Sequence, residues 1–309
     1  MLITVFTPTY NRAHLLPRVY ESLCKQTFRD FEWVIVDDGS VDDTKSLSLS
    51  LIPEQSSPTR SLSKREGNFV PVRYFYQVNG GKHRAINRGV KEAKGELFFI
   101  VDSDDWLPED ALEIVARRYD EIRHDKTFAG VAGFDITPDG KRIGRGYDFD
   151  VLDCNILDFW YKYQVCGDMK EVFRTDVLRE IPFPEIENEL FCPEELEWVR
   201  IAKKYKLRYF NEDIYVADYQ ANGLSANIIR IRMNSPIAAI MTYAISLPLG
   251  IPFLRKIRYA INYYRFKMNI HGQNYKDEFR KYRVDDISPI WWWTKPFGWI
   301  MHRYDCKRM

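Results

Sequence analysis

The feature that most constrains this chain is an alternation. Through the first 135 residues, short apolar runs take turns with helix-length segments, and each run ends in polar residues. That pattern predicts βα units feeding a mostly parallel sheet, with strands at Leu2 to Thr7, Glu32 to Asp37, Val72 to Gln77 and Leu97 to Val101. Helices are expected over His14 to Gln26 and Arg84 to Ala93. In an open α/β sheet the ligand crevice lies beyond the carboxyl ends of the strands, so the polar endings are where chemistry is expected. A serine-rich stretch from Ser46 to Gly67 reads as a frayed helix leading into a surface loop. After Asp135 the pattern is less regular: a glycine-rich turn at Gly140 to Gly146, a helix over Glu195 to Tyr205, and a short strand near Arg208 to Phe210. This half is expected to complete the sheet and form an acceptor side.

Length and apolar content, 309 residues and 45% hydrophobic, suit one large domain with an appendage. The five cysteines are scattered, odd in number and without a CxxC pair, which argues against a disulfide framework or zinc site and for a reducing cytosol. No secretory signal pattern opens the sequence. The five histidines form no metal-ligating spacing, and no nucleic-acid partner is expected. Net charge is +1, but residues 228 to 309 hold 15 Lys/Arg against 5 Asp/Glu. Four of the eight tryptophans lie there too, Trp291, Trp292, Trp293 and Trp299. Basic, aromatic composition suits contact with anionic lipid, the alternative being aromatics packed on the domain. Residues 233 to 254 carry no charge, but Pro236, Pro248, Gly250 and Pro252 interrupt them, so a buried or interfacial helix is expected rather than a membrane span.

Three polar clusters sit at strand ends. The first, Thr7-Pro8-Thr9-Tyr10-Asn11-Arg12, ends a strand abruptly at a proline and opens the backbone to a planar base. In the second, Asp37-Asp38-Gly39-Ser40, a carboxylate can accept the imide hydrogen of uracil. Its alternative role is an N-cap cluster. The third, Asp102-Ser103-Asp104-Asp105, crowds carboxylates that repel one another unless a cation neutralises them, and hard oxygen ligands favour Mg²⁺ or Mn²⁺. Here the alternative is a solvated turn before a helix beginning at Pro108.

Taken in order, TPTYNR, VDDGS, NGGKHRAINRG and VDSDD resemble the nucleotide-binding half of the family 2 glycosyltransferases, strongly over residues 2 to 108 and loosely to Asn227. The resemblance implies a GT-A fold, an α/β architecture with a mostly parallel sheet flanked by helices and a helical C-terminal appendage. It implies a transferase domain over 1–227 and a basic, aromatic helical region over 228–309. It further implies that Thr7, Pro8, Tyr10 and Arg12 line the nucleotide, and that Asp37 and Asp38 meet uracil or ribose. By the same resemblance, Lys82, Asp102 and Ser103 are expected near the nucleotide, with Asp104 and Asp102 holding the metal. The family's base lies in an acidic pair before a helix. Here Pro193-Glu194-Glu195-Leu196-Glu197-Trp198-Val199-Arg200 puts Glu194 at the aspartate position and a proline at the glutamate position, leaving the role to Glu194 or its neighbour Glu195. A helix cap is the alternative for this pair. Ser225 and Asn227 are phosphate-contact candidates, with an ordinary turn as the alternative.

The function implied is inverting transfer of one sugar from a UDP-sugar to a saccharide or lipid-linked saccharide, as in surface polysaccharide synthesis. The enzyme is expected in the cytoplasm, held peripherally on the inner membrane face. A sugar nucleotidyltransferase would carry a Gly-rich phosphate loop after the first strand. A Rossmann dehydrogenase would show GxGxxG. A processive synthase would need several spanning helices and a Gln-x-x-Arg-Trp segment, and a non-catalytic scaffold would have no use for the DSDD cluster.

Overall fold

The computed structural model describes residues 1–52, 70–144, 146–165, 169–218, 227–272 and 274–308. Its centre is an eight-stranded sheet: β1 (Ile3–Thr9), β2 (Phe31–Asp37), β3 (Val72–Tyr76), β4 (Leu97–Ile100), β5 (Phe128–Ile136), β6 (Val151–Cys154), β7 (Met169–Arg174) and β8 (Lys206–Val216). The order across the sheet is β3-β2-β1-β4-β7-β5-β8-β6. The pairs β1/β2, β1/β4, β2/β3 and β5/β8 are parallel, while β7 runs antiparallel to β4 and β5, and β6 antiparallel to β8. The mostly parallel sheet flanked by helices is therefore the fold this chain adopts.

The strand period of two divides the apolar side chains between two cores. Phe6, Val34, Val36, Phe98 and Ile100 face one side, where α3 (Lys82–Glu92), α6 (Glu194–Ala202) and α8 (Pro236–Ser246) cover them. Ile3, Val5, Trp33, Ile35, Leu97 and Phe99 face the other, under α1 (Leu16–Cys24) and α4 (Ala111–Asp120). Because both faces are covered, β1, β2 and β4 are buried along their whole length. The short helices α2 (Thr44–Ser50) and α5 (Thr175–Glu180) complete this part.

Four of the predicted strands are present with ends shifted by a residue or two. The strand expected near Arg208 runs on to Val216, and β5, β6 and β7 were not legible from pattern. The last two are short and only partly buried.

Beyond residue 227 come α7 (Ile228–Asn234), α8, α9 (Phe253–Lys267), α10 (Tyr275–Lys281), a 3₁₀ turn at Pro289–Thr294 and α11 (Lys295–Cys306). All eleven residues of α8 are buried, so the middle of the uncharged run forms a core helix. Among the described residues no helix is long and apolar enough to cross a membrane.

Candidate functional site

The strand order reverses at β1, with β2 on one side and β4 on the other. Such a switch point splays the following loops apart and opens a crevice. The three polar clusters leave the sheet here, because Thr9 is in register with Asp37 and Phe6 with Ile100. Beyond their ends lies a cleft of about 750 Å³.

The first two clusters lock each other. Asn11 adopts φ +53°, a conformation asparagine tolerates better than most residues. Its amide N–H donates to Ser40 Oγ at 2.8 Å, and its Oδ1 accepts from the Val41 amide at 2.8 Å. Pro8, Tyr10 and Arg12 then line the cleft, with Tyr10 49% exposed and its ring open to a ligand. Thr7 does not reach the cleft wall. It is fully buried and accepts the Trp33 indole N–H at 2.9 Å.

The two adjacent aspartates divide their work. Asp37 is fully buried behind the wall, accepting from the Ser40 amide at 2.8 Å and the Tyr74 hydroxyl at 2.7 Å, so it organises the turn. Burial and the Asp37 carboxylate hold the Tyr74 hydroxyl well above its ordinary pKa. Asp38 lines the cleft. Its Oδ1 accepts from Gln77 Nε2 at 2.7 Å and the Gly80 amide at 2.9 Å, and its Oδ2 from the Gly81 amide at 2.7 Å. Among these contacts, Oδ2 keeps one acceptor position for a ligand.

Gly81 has φ +94°, and a Cβ there would stand 1.9 Å from the Leu190 carbonyl oxygen. Only glycine lets this loop pass, and the passage delivers Lys82 at the start of α3. Lys82 Nζ lies 2.7 Å from Asp102 Oδ1 and 2.9 Å from Glu194 Oε1. Burial disfavours the ammonium, but the carboxylates of Asp102 and Glu194 more than offset that and raise its pKa. Asp102 shows the reverse balance. Burial pushes its carboxyl up, yet Lys82, Lys170 and Arg12 bring it down to about 2. Arg12 pairs with Asp104, and Arg18 donates to the Asp104 carbonyl. Ser103, buried, and Asp104 also line the cleft.

Among the described residues no three His, Cys, Asp or Glu side chains converge as a self-contained metal cage. A divalent ion on a diphosphate does not need one, since one or two carboxylates suffice when phosphate oxygens and water fill the remaining positions. Asp104 and Asp102 match that donor set, and Arg12 and Lys82 are the cations that neutralise them here.

Glu194 and Glu195 open α6, where the helix dipole favours carboxylates. They point to different partners. Glu194 meets Lys82, whereas Glu195 accepts from the Tyr259 hydroxyl of α9 at 2.7 Å. Asn227 directly precedes α7, is exposed, and is not part of the cleft wall. Ser225 lies outside the described residues.

Several residues on the wall or behind it had no signal in the sequence. Lys170 on β7 stands 4.0 Å from Asp102 and over the Tyr215 ring. The Tyr215 hydroxyl donates to Asp105 at 2.6 Å and accepts from the Asp102 amide at 3.1 Å, tying the acidic turn to β8. Leu190, Phe191, Asn234 and Ser235 close the far side. Glu189 pins that side by accepting the Ile237 and Ala238 amides at 2.6 and 2.9 Å, and its burial raises its pKa to about 7.

A family model described as "Glycosyl transferase family 2" matches residues 4–178. The chain belongs to glycosyltransferase family 2. Over 150 residues it is 34% identical to a chondroitin synthase of Pasteurella multocida, an alignment covering 48% of this chain but only 14% of that protein. It therefore spans a small part of that relative's length. A GalNAc(5)-diNAcBac-PP-undecaprenol beta-1,3-glucosyltransferase of Campylobacter jejuni is 28% identical over 239 residues, 74% of this chain and 70% of that one. Among solved structures, S. aureus TarS 1-349 in complex with UDP-GlcNAc superposes with a TM-score of 0.56 at 19% identity, covering 90% of this chain and 75% of that 1-349 chain. The mannosyltransferase PcManGT of Pyrobaculum calidifontis, with GDP-Man and Mn²⁺, gives 0.53 at 17% identity, covering 98% and 87%. The family 2 chain thus has the GT-A type of fold.

Proposed function

We propose that this family 2 chain moves one sugar from a UDP-sugar to a saccharide or lipid-linked saccharide acceptor, with inversion, in building a surface polysaccharide. The observation that carries the reading is Lys82, whose ammonium holds the metal-side carboxylate Asp102 and the candidate base Glu194 within 2.9 Å of one atom. A donor diphosphate at Asp102 and an acceptor hydroxyl at Glu194 would then meet across a single anomeric centre. Pro8 and Tyr10 hold the uracil, whose imide N–H donates to Asp38. Asp104 and Asp102 would hold Mn²⁺ or Mg²⁺, which neutralises the departing diphosphate. Lys82, Arg12 and Lys170 add positive charge on the same side. Glu194 takes the acceptor proton as the acceptor oxygen bonds the anomeric carbon and the bond to UDP breaks. Glu195, held by Tyr259, is the alternative base.

The domain works in the cytoplasm, in peripheral contact with the inner membrane face. The lipid-linked acceptor printed in the name of the Campylobacter relative supports that part. Donor identity is tested by assaying UDP release from a panel of UDP-sugars with and without Mn²⁺. Release that requires both metal and acceptor supports transfer. Release of no UDP from any donor would make the chain a non-catalytic scaffold, and preference for GDP-sugars would reject the uridine assignment.

A further inference from the structure

Helix α11 is amphipathic in the reverse of the usual sense. Its inward positions, one helical face at i, i+4 and i+7, are Gly298, His302 and Asp305. Gly298 lets α11 lie directly on α9, since a Cβ there would stand 2.7 Å from Tyr264 Cβ and 2.8 Å from the Ile261 carbonyl oxygen. Asp305 is buried and receives two bonds from Arg265 of α9, at 2.5 and 2.7 Å. The large apolar side chains face out.

Phe297, Trp299 and Ile300 of α11, Trp292 of the 3₁₀ turn, and Phe253 and Leu254 at the start of α9 are each 51–79% exposed. Their three elements adjoin: the Phe253 ring lies 6.2 Å from that of Trp291, and the Trp293 ring 6.4 Å from that of Phe297. Exposed apolar side chains grouped on adjoining elements mark a contact with something apolar.

Charge narrows the partner. Arg255, Arg258, Lys295, Arg303, Lys307 and Arg308 are exposed on the same elements. None of them enters an ion pair among the described residues, and the acid of α11, Asp305, is already matched by Arg265. Two copies meeting through this face would set cations against cations. An anionic bilayer instead offers headgroups to the cations and an interfacial layer to tryptophan and phenylalanine.

We infer that α11, the 3₁₀ turn before it and the first turn of α9 form one surface that seats the enzyme on an anionic lipid bilayer, with Trp292, Phe297, Trp299 and Ile300 entering the interface. This gives the peripheral contact of the proposed function its residues. Only the acceptor's identity rests on that function. Along α9, Tyr259 lies six residues from Phe253, about 9 Å at the helical rise. Its hydroxyl holds Glu195 beside Glu194. The lipid-facing surface and the acceptor side of the cleft thus share one helix, which suits an acceptor saccharide presented from the same membrane.

The test is co-sedimentation of the full chain with vesicles, read alongside tryptophan emission. The chain should pellet with vesicles of about 30% phosphatidylglycerol, shift its emission to the blue, and stay in solution with pure phosphatidylcholine or at high salt. Trp299→Ser with Ile300→Ser should weaken partitioning about tenfold or more, and Arg303→Glu with Lys307→Glu, a change at exposed positions, should do the same. UDP release to a soluble acceptor, measured in parallel without vesicles, should be unchanged in both variants. Failure of wild-type protein to bind anionic vesicles overturns the inference, as does unaltered binding in the charge-reversed variant. A concentration-dependent dimer abolished by the Trp299/Ile300 change would also overturn it, by making the face a self-contact. Vesicle binding without UDP release from any donor would leave the surface standing and reject the transfer reading instead.

Discussion

The two halves of this molecule build their share of the cleft in different ways. In the first, β1, β2 and β4 end side by side, and each loop is ordered by contacts between neighbouring strand ends, such as the Asp38 amide donating to the Thr9 carbonyl at 2.9 Å. In the second, Ile231 and Asn234 of α7 and Ser235 after it reach the cleft only because helices pack onto a sheet completed by β5 to β8. A ligand site made from strand ends is specified close to home. One made from helix packing depends on the whole core, which is why resemblance implied a role for the acidic pair at Glu194 and Glu195 while the partner of each came only from packing.

That contrast can be broken most forcefully at the acidic turn. Asp104→Ala should lower turnover about a thousandfold or more with an unchanged melting profile, since it removes the proposed anionic ligand from the leaving-group side. Near-normal turnover, or full wild-type activity in EDTA, would sink the metal assignment. Next, Glu194→Gln should cost about a hundredfold or more in kcat while UDP affinity, read by calorimetry, stays close to wild type. If Glu195→Gln collapses activity instead, the base lies on the residue held by Tyr259. An α-linked product from an α-linked donor, seen by NMR, would reject inversion.

The seam between the halves is the third place to press. Gly81→Ala forces a side chain against the Leu190 carbonyl in a left-handed backbone conformation, and should destabilise the fold by about 2–3 kcal/mol in urea melts. A neutral result would show that the far wall is free to move away from Lys82.

The smallest effect concerns Glu171 on β7. Desolvation, with the Asp135 and Glu194 carboxylates nearby, raises its pKa to about 8 from an ordinary 4.5, against the opposing pull of Lys170. The folded chain then holds this proton more tightly than the unfolded chain, so the group's contribution to stability falls as pH rises from about 4.5 to about 8. Glu171→Gln should lie close to wild type near pH 5 and become the more stable of the two as pH rises to 8. Equal stability at both pH values would show that Glu171 ionises without strain.

The sequence by itself determined the parallel strands, the polar clusters at their ends and the family, because strand period and turn chemistry are local. The resemblance carried by the ordered motifs implied a nucleotide site at Tyr10, Asp38, Asp102 and Asp104, and the fold gathers these four on one cleft. Other features belong to the tertiary structure. Asp37 turns inward and Asp38 toward the cleft, Thr7 is buried under Trp33, and Lys82 joins Asp102 to Glu194. Lys170 arrives on a strand no pattern revealed and Tyr215 beyond the end of the strand expected near Arg208, and α11 turns Trp299 outward because Gly298 and Asp305 take the inner face. Arg12 and Asp104 are 92 residues apart, and nothing local links them. Such contacts are set by which strand lies beside which and by how helices pack over them. Those are properties of the assembled core that no window of sequence contains.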